Sequence, residues 1–272
     1  MNEVHPILEV EALVKCYASR RGAGHSGRAN AVDGVSLSIA PATTLALVGE
    51  SGSGKSTLAF CVACLEKPTS GRIWWNGLEV SLLTEKDLRP NRSRVQMIFQ
   101  DPASAMNPRW TASQIVAEPL VIQNQLTRRD QFEHAQLLLE RVGLPASAGA
   151  RRLAEFSGGQ RQRIAIARAL ALGSKLLILD EALSALDCSV QAQIANLLLD
   201  LQESSGISLL FITHDLVMAA HLADQVAVMD RGRIVEAGTA DEVIRHPEHE
   251  QTRMLLAASS GLGRVTPESR DA

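Results

Sequence analysis

Aromatic residues, cysteines and long apolar segments are all scarce in this sequence. Aromatic residues make up 3% of its 272 residues, and Tyr17 is the only tyrosine. The four cysteines are too few for a disulfide-stabilised fold, which fits a reducing compartment. No apolar run approaches the roughly 18 residues that a membrane-spanning helix needs, so the sequence predicts no transmembrane helix.

The sequence also has no excess of basic residues over acidic ones. Lys and Arg number 27 against 30 for Asp and Glu, which gives a net charge of −3 at pH 7. Proteins that bind nucleic acid commonly carry a basic patch and a high isoelectric point. The charge balance therefore gives no support to a nucleic-acid partner.

Five short, almost continuous apolar runs predict a parallel sheet. Such runs are typical of strands that are buried on both faces, and the helical stretches between them imply crossover connections. The runs are TLALVG (44–49), RVQMIF (94–99), KLLILD (175–180), SLLFIT (208–213) and QVAVMD (225–230).

The amino-terminal part has a different pattern. Residues 7–14 and 32–39 alternate between apolar and polar, and GRIWWNG adds a short strand closed by the turn pair Asn76–Gly77. Residues 111–143 are poor in strand signals and predict a small helical unit. The sequence thus predicts an α/β fold with an antiparallel β part and a helical insertion.

A phosphate-binding loop follows the first buried run. Residues 49–56 match G-x-x-x-x-G-K-[ST], a loop whose backbone amides cradle phosphates. Lys55 is expected to reach the terminal phosphates, and the Ser56 hydroxyl to hold Mg²⁺. The predicted phosphate-binding residues are Gly49, Glu50, Ser51, Gly52, Ser53, Gly54, Lys55, Ser56 and Thr57.

Polar residues follow three further buried runs. Asp180 suits a carboxylate that holds Mg²⁺, and Glu181 could orient or deprotonate an attacking water. Gln100 and His214 come directly after two other runs. Taken singly, each could be an ordinary polar residue at a strand end, or the acids a surface pair. Together, at the carboxyl edge of a sheet and beside a phosphate loop, they predict a nucleotide-hydrolysis site.

A second anion-favouring helix start occurs at residues 157–160. Ser157 and Gln160 have the spacing of a capping box, and Gly158 and Gly159 leave the backbone bare. The following IAIARALAL alternates like a strand. We predict a helix there because Ala, Leu and Arg are strong helix formers and a cap precedes them.

Cys61 and Cys64 form a C-x-x-C pair, but no second pair completes a four-cysteine zinc site. Both fall in the helix predicted after the phosphate loop. We therefore interpret them as small core-facing residues.

The motif set resembles the ATP-binding subunit of an ABC transporter over about residues 5–260. The motifs that carry the resemblance are the phosphate loop, Gln100, the S-G-G-Q signature, LLILDE, Ser184–Asp187 and His214, in this order and spacing. The resemblance implies a P-loop NTPase fold with a RecA-like parallel core. It divides the chain into a core at 1–100 and 161–245, a helical subdomain at 101–160 and a tail at 246–272.

The resemblance also implies roles for individual residues. In this family two cassettes pack head to tail, so that Ser157–Gln160 would serve the ATP held by the partner's phosphate loop. Gln100 would sense Mg²⁺ or water and couple to the membrane subunit, and Asp187 would lie at the dimer interface. His214 would contact the γ-phosphate. Tyr17 fits the aromatic residue that stacks on adenine, with an ordinary edge-strand tyrosine as the alternative.

Residues 97–120 resemble the peptide and nickel uptake branch, with Asn-Pro-Arg followed by Glu-Pro-Leu. Di- or oligopeptides are the expected cargo. Nickel or another chelated metal stays open, because the His-Pro segment at 246–250 lacks a following Pro-Tyr and no cysteine-rich extension follows. A soluble ABC ATPase acting on DNA or ribosomes is the alternative of another class.

The family implies the cofactors ATP and Mg²⁺ and several partners. These are a second ATPase subunit (a paralogue, or a second copy of this chain), two transmembrane permeases and, through them, an extracytoplasmic substrate-binding protein. The expected location is peripheral, on the cytoplasmic side of the inner membrane.

Overall fold

The computed structural model describes residues 5–17, 29–123 and 127–259. Over these ranges the strands are β1 (Leu8–Tyr17), β2 (Ala29–Ile39), β3 (Thr44–Val48), β4 (Ser70–Trp75), β5 (Leu78–Glu79), β6 (Val95–Ile98), β7 (Leu176–Asp180), β8 (Ser208–Thr213), β9 (Gln225–Asp230) and β10 (Arg233–Thr239). The helices are α1 (Lys55–Val62), α2 (Glu85–Leu88), α3 (Ala112–Ile122), α4 (Arg128–Arg141), α5 (Gly158–Leu170), α6 (Cys188–Ser205), α7 (Leu216–Leu222), α8 (Ala240–Arg245) and α9 (Glu250–Ser259).

The main sheet has the strand order β10-β9-β3-β8-β7-β6. The five apolar runs form its parallel strands, as predicted. Val48 pairs with Thr213, and Asp180 pairs with Ile212. This register brings the ends of β3, β8 and β7 to one edge of the sheet, where ligands of open α/β sheets bind.

The sixth strand, β10, was not predicted. It pairs antiparallel with β9 at the edge of the sheet, and most of its residues are exposed or half-buried. Such a strand lacks the continuous apolar run that marked the others. Arg231 and Gly232 join the two strands with positive φ values of 44° and 86°, which is the backbone form of a tight hairpin turn.

The amino-terminal strands form a separate antiparallel sheet in the order β2-β1-β4-β5, as the alternating pattern predicted. It packs on α1 and one face of the main sheet through residues that include Leu13, Trp75 and Leu47. The opposite face of the main sheet, including Phe211, packs against α5, α6 and α7. The core is thus two apolar layers with the parallel sheet between them.

Cys61 lies in the first of these layers and is fully buried, and the half-buried Cys64 packs against it. Burial raises the pKa of Cys61 to about 11 and that of Cys64 to about 12. Both thiols are therefore protonated at neutral pH and poorly nucleophilic. The interpretation of this pair as core-facing residues agrees with the packing. The prediction that both lie in the helix is wrong for Cys64, which follows the end of α1 and has a φ of 53°.

Helices α3 and α4 lie in the stretch 111–143 that was predicted to be helical, and both pack on α5. Residues 158–170 form a helix, which settles the ambiguous IAIARALAL segment. Helix α9 lies within the predicted tail and buries Thr252 and Leu255, a structure that the sequence did not predict. The subdomain boundaries at 101–160 and 246–272 stay a prediction. In the part of the chain that the structure describes, none of the helices combines the length and apolarity that a membrane crossing requires.

Candidate nucleotide-binding site

The phosphate loop between β3 and α1 depends on two glycines. A Cβ on Gly49 would lie 2.2 Å from the Met229 carbonyl oxygen, and one on Gly54 2.1 Å from that of Ala31. Gly54 also has a φ of 108°, a conformation that L side chains rarely adopt. The loop is therefore packed closely against backbone on two sides, which fixes its shape.

The turn between β9 and β10 supports this loop, a contribution that the sequence analysis missed. The N–H of Gly232 donates to the Ser53 carbonyl at 2.8 Å, and the Gly232 carbonyl accepts from Asp33 N–H at 2.8 Å. Gly232 thus joins the phosphate loop to β2. The one available signal was the glycine that follows the buried run of β9.

Helix α1 begins without a side-chain cap. Its N-cap residue is Gly54, and no side chain accepts from the first turn. The first backbone N–H groups of a helix have no intrahelical partner, so those of Lys55, Ser56 and Thr57 remain for a ligand. Together with the helix dipole they favour a bound anion such as phosphate.

Lys55 lies within the loop and is 3% exposed. Its Nζ donates to the carbonyls of Gly49 at 2.7 Å and Glu50 at 2.8 Å. Burial lowers its pKa, while the charges of Glu181, Asp180 and Glu50 oppose that shift. A buried cation held at the amide-lined loop suits a polyanionic ligand.

Ser56 and Asp180 meet across the site. The Ser56 Oγ donates to Asp180 Oδ1 at 3.0 Å, and Asp180 is 6% exposed at the end of β7. Burial raises the pKa of Asp180, and the hydrogen bond from Ser56 opposes this. A hydroxyl and a carboxylate are oxygen ligands of the kind that Mg²⁺ prefers. The two residues therefore fit the predicted metal site.

Glu181 and His214 also lie together, as predicted. Glu181 Oε2 is 4.0 Å from His214 Nδ1, and the two side chains are 19% and 55% exposed. Glu181 has a φ of 47°, and its N–H donates to the Ile212 carbonyl at 3.0 Å. A left-handed conformation of a non-glycine residue costs about 1–3 kcal/mol and is common at functional sites.

Gln100 and Tyr17 are both exposed. Gln100 lies in an exposed bend after β6. Tyr17 is the last residue of β1 and is 43% exposed. Tyr17 pairs with Ala29 of β2, whereas the pairing of β1 with β4 reaches no further than Val14, so an ordinary edge-strand tyrosine stays the alternative. Among the described residues, no hydrogen bond or ion pair joins either side chain to the phosphate loop.

The S-G-G-Q segment is capped by its own residues. The Ser157 Oγ accepts from Gln160 N–H at 3.4 Å, and Gln160 Oε1 accepts from Ser157 N–H at 3.1 Å, which confirms the predicted capping box. A Cβ on Gly159 would lie 2.5 Å from Val190 Cγ1 of α6. Asp187 caps α6 by accepting from Val190 N–H at 2.9 Å. The signature therefore packs against the start of α6.

The parallel sheet, the phosphate loop and the acids at the end of β7 define a P-loop nucleotide-binding protein. The family described as ABC transporter matches residues 32–184. The chain belongs to the ABC transporter family, as one of its ATP-binding cassettes, and this confirms the resemblance and the fold predicted from the sequence.

Curated relatives cover most of the chain. It is 48% identical over 255 residues to a probable peptide ABC transporter ATP-binding protein of Sinorhizobium fredii, covering 93% of this chain and 72% of that protein. It is 44% identical over 253 residues to a putative peptide import ATP-binding protein of Brucella ovis, covering 93% and 78%. An oligopeptide transport ATP-binding protein of Mycobacterium tuberculosis is 46% identical, but this chain spans 42% of its length.

Solved structures give the same fold. The cassette cbiO1 of Clostridium perfringens, part of an ABC transporter complex, superposes with a TM-score of 0.77 at 30% identity, covering 89% of this chain and 91% of that one. The ATP-binding cassette MJ0796, solved as a dimer in a post-hydrolysis state with ADP and Pi, gives 0.74 at 27% identity, covering 86% and 98%.

Proposed function

We propose that this protein is the ATP-hydrolysing subunit of an ABC importer for di- or oligopeptides. The observation that carries the cargo assignment is the identity of 44–48% to peptide-transport ATP-binding proteins over 93% of the chain. The observation that supports hydrolysis is the cluster of Lys55, Ser56, Asp180 and Glu181 at one edge of the sheet.

The phosphate loop and the first turn of α1 bind the phosphates of ATP through backbone amides and the Lys55 ammonium. Ser56 and Asp180, with Gln100, would hold Mg²⁺. When bound, this ion neutralises charge that develops on the phosphates. Residues Gly49–Thr57 surround the phosphates, and the base stacks on the ring of Tyr17.

Glu181 lies beside His214 and has a carboxylate that can accept a proton from the attacking water. His214 contacts the γ-phosphate from the end of β8. Glu181 has a left-handed backbone, a conformation that is common at functional sites. Glu181 is therefore the general base of the proposed reaction, with His214 and Gln100 as its neighbours in the closed site.

Ser157, Gly158, Gly159 and Gln160 act on the nucleotide of a second cassette. The exposure of Ser157 and Gly158 supports this assignment. The second cassette is a paralogue or another copy of this chain, and Asp187 lies at their interface. Closure of the pair on ATP drives two membrane permeases, which take substrate from an extracytoplasmic binding protein, so the chain works peripherally on the cytoplasmic face of the inner membrane.

Uptake in a strain that lacks this chain tests the proposal. We expect the wild-type chain to restore uptake of labelled di- and oligopeptides, and the Glu181→Gln variant to restore none. Restoration of nickel uptake alone would replace peptide by metal as the cargo. Purification of the tagged chain from the membrane fraction should recover permease subunits. Recovery of ribosomes or DNA in their place would overturn the assignment to transport.

A further inference from the structure

Lys15 and Tyr17 lie two residues apart near the end of β1, and their side chains are close to each other. The Lys15 Nζ is 5.0 Å from the centroid of the Tyr17 ring. An ammonium within about 6 Å of an aromatic face is attracted to it electrostatically. One face of the tyrosine is thus occupied by a cation, while the residue stays 43% exposed.

The ammonium of Lys15 is itself held in place. It donates to Glu66 Oε2 at 2.7 Å and to the Lys67 carbonyl at 2.8 Å, and its side chain is 13% exposed. The hydrogen bond to Glu66 raises the pKa of Lys15, so the group is charged at neutral pH. A cation with two fixed acceptors has little freedom to leave the ring.

These acceptors belong to the segment that leaves α1. Two further contacts join the same segment to β1: the N–H of Cys16 donates to Thr69 Oγ1 at 2.9 Å, and the N–H of Thr69 donates to the Val14 carbonyl at 2.7 Å. Helix α1 begins at the phosphate loop and spans eight residues, so this segment lies at the opposite end of the helix. The end of β1 is thereby fixed relative to the phosphate loop.

We propose that Lys15, anchored by Glu66, is a positioning residue that holds the Tyr17 ring for the nucleotide base. The cation occupies one face of the ring and leaves the other for adenine. The inference rests on the proposed function, since it requires ATP at the phosphate loop with its base on Tyr17. It assigns to Lys15 an effect on base recognition and none on the phosphates.

Binding of Mg-ATP and of Mg-tripolyphosphate to the purified full-length chain separates these two effects. Tripolyphosphate occupies the phosphate loop without a base. We expect Lys15→Met to weaken ATP binding about 2- to 5-fold, the factor that an exposed cation–π contact carries, and to leave tripolyphosphate binding unchanged. Lys15→Arg, which keeps a cation beside Glu66, should retain most of the ATP affinity.

The matched control is Lys67→Met, which removes the same charge from an exposed neighbouring position and should change neither affinity. In a Tyr17→Ala background, Lys15→Met should have no further effect on ATP binding, because coupled residues are non-additive. Thermal unfolding of each variant without ligand should show that it is folded at the assay temperature.

Equal weakening of ATP and tripolyphosphate by Lys15→Met would overturn the inference, since the lysine would then act on the phosphates or on the fold. If Lys15→Met leaves the ATP affinity unchanged while Tyr17→Ala lowers it, the role of Lys15 would be overturned and the role of Tyr17 would stand. A wild-type chain that binds both ligands equally would overturn the base platform as well. One that binds neither would contradict the proposed function itself.

Discussion

Two helix starts in this protein favour anions, and they are built in opposite ways. Helix α1 begins at Gly54 with no side-chain cap, and its amides and Lys55 remain for a ligand. Helix α5 begins at Ser157, whose capping box with Gln160 satisfies amide donors internally. At the first start Lys55 is buried and its neighbours Gly54 and Ser56 are half-buried, while Ser157 is exposed. The first helix start thus leaves its amide donors for a ligand, whereas the second pairs part of its donors with its own side chains.

The largest expected effect is on the chemistry beside the first start. Glu181→Gln should keep ATP binding and lower the rate of hydrolysis by about 10²–10⁴-fold or more, because an amide cannot accept a proton from water. ATPase measured in the assembled transporter checks this. A rate near that of the wild type would remove Glu181 from its proposed role.

Ser157→Arg tests whether the second start serves another chain. The ATP affinity of the isolated variant should be almost unchanged, whereas Lys55→Ala should lose affinity by removing a direct phosphate contact. In the assembled complex, hydrolysis at the site that contains the partner's phosphate loop should fall by about 10²–10³-fold, the usual effect of losing one preorganised donor.

Calorimetry on the isolated chains and ATPase of the assembled complex provide the measurements for this pair of variants. If both isolated variants lose ATP affinity equally, the shared site is contradicted. Full activity of Ser157→Arg in the complex would leave the motif with a capping role alone.

Substituting alanine for Gly54 and for Gly158 compares how strongly the backbone is constrained at the two helix starts. Gly54→Ala should lower the free energy of unfolding by about 1–3 kcal/mol, because φ is 108° and the new Cβ would lie 2.1 Å from the Ala31 carbonyl oxygen. Gly158→Ala places its Cβ 3.4 Å from Leu186 Cδ2, which is ordinary contact, and should change stability little. Chemical denaturation of the full chain measures both, and equal losses would mean that the first loop is less constrained than its geometry indicates.

The smallest expected effect comes from removing the capping hydroxyl of Ser157, which separates its contribution to stability from its contribution to hydrolysis. Thr111 and Gln114 form a second capping box at the start of α3, with the same two hydrogen bonds as Ser157 and Gln160. Ser157→Ala and Thr111→Ala should each lower the free energy of unfolding by about 1 kcal/mol. In the assembled complex, Ser157→Ala alone should also slow hydrolysis, by about 2- to 10-fold, the range of one neutral hydrogen bond. The same loss of activity in Thr111→Ala would assign the effect to stability.

The sequence by itself determined the parts that depend on local chemistry. The phosphate loop needs Gly, Lys and Ser at fixed spacing, the five parallel strands need continuous apolar runs, and a capping box needs Ser and Gln three residues apart. Each of these signals lies within a few neighbouring residues, so each could be read before the chain was folded.

Only the tertiary structure decided which distant residues support the site. The turn at Gly232 joins the phosphate loop to β2, and Lys15 contacts both Glu66 and the Tyr17 ring. These residues lie on separate elements, and nothing in their local sequence marks them as partners. Strand β10 was not predicted for a related reason. It is stabilised by its pairing with β9 and has no apolar run of its own. Contacts between remote segments arise from sheet order and register, which local patterns do not specify.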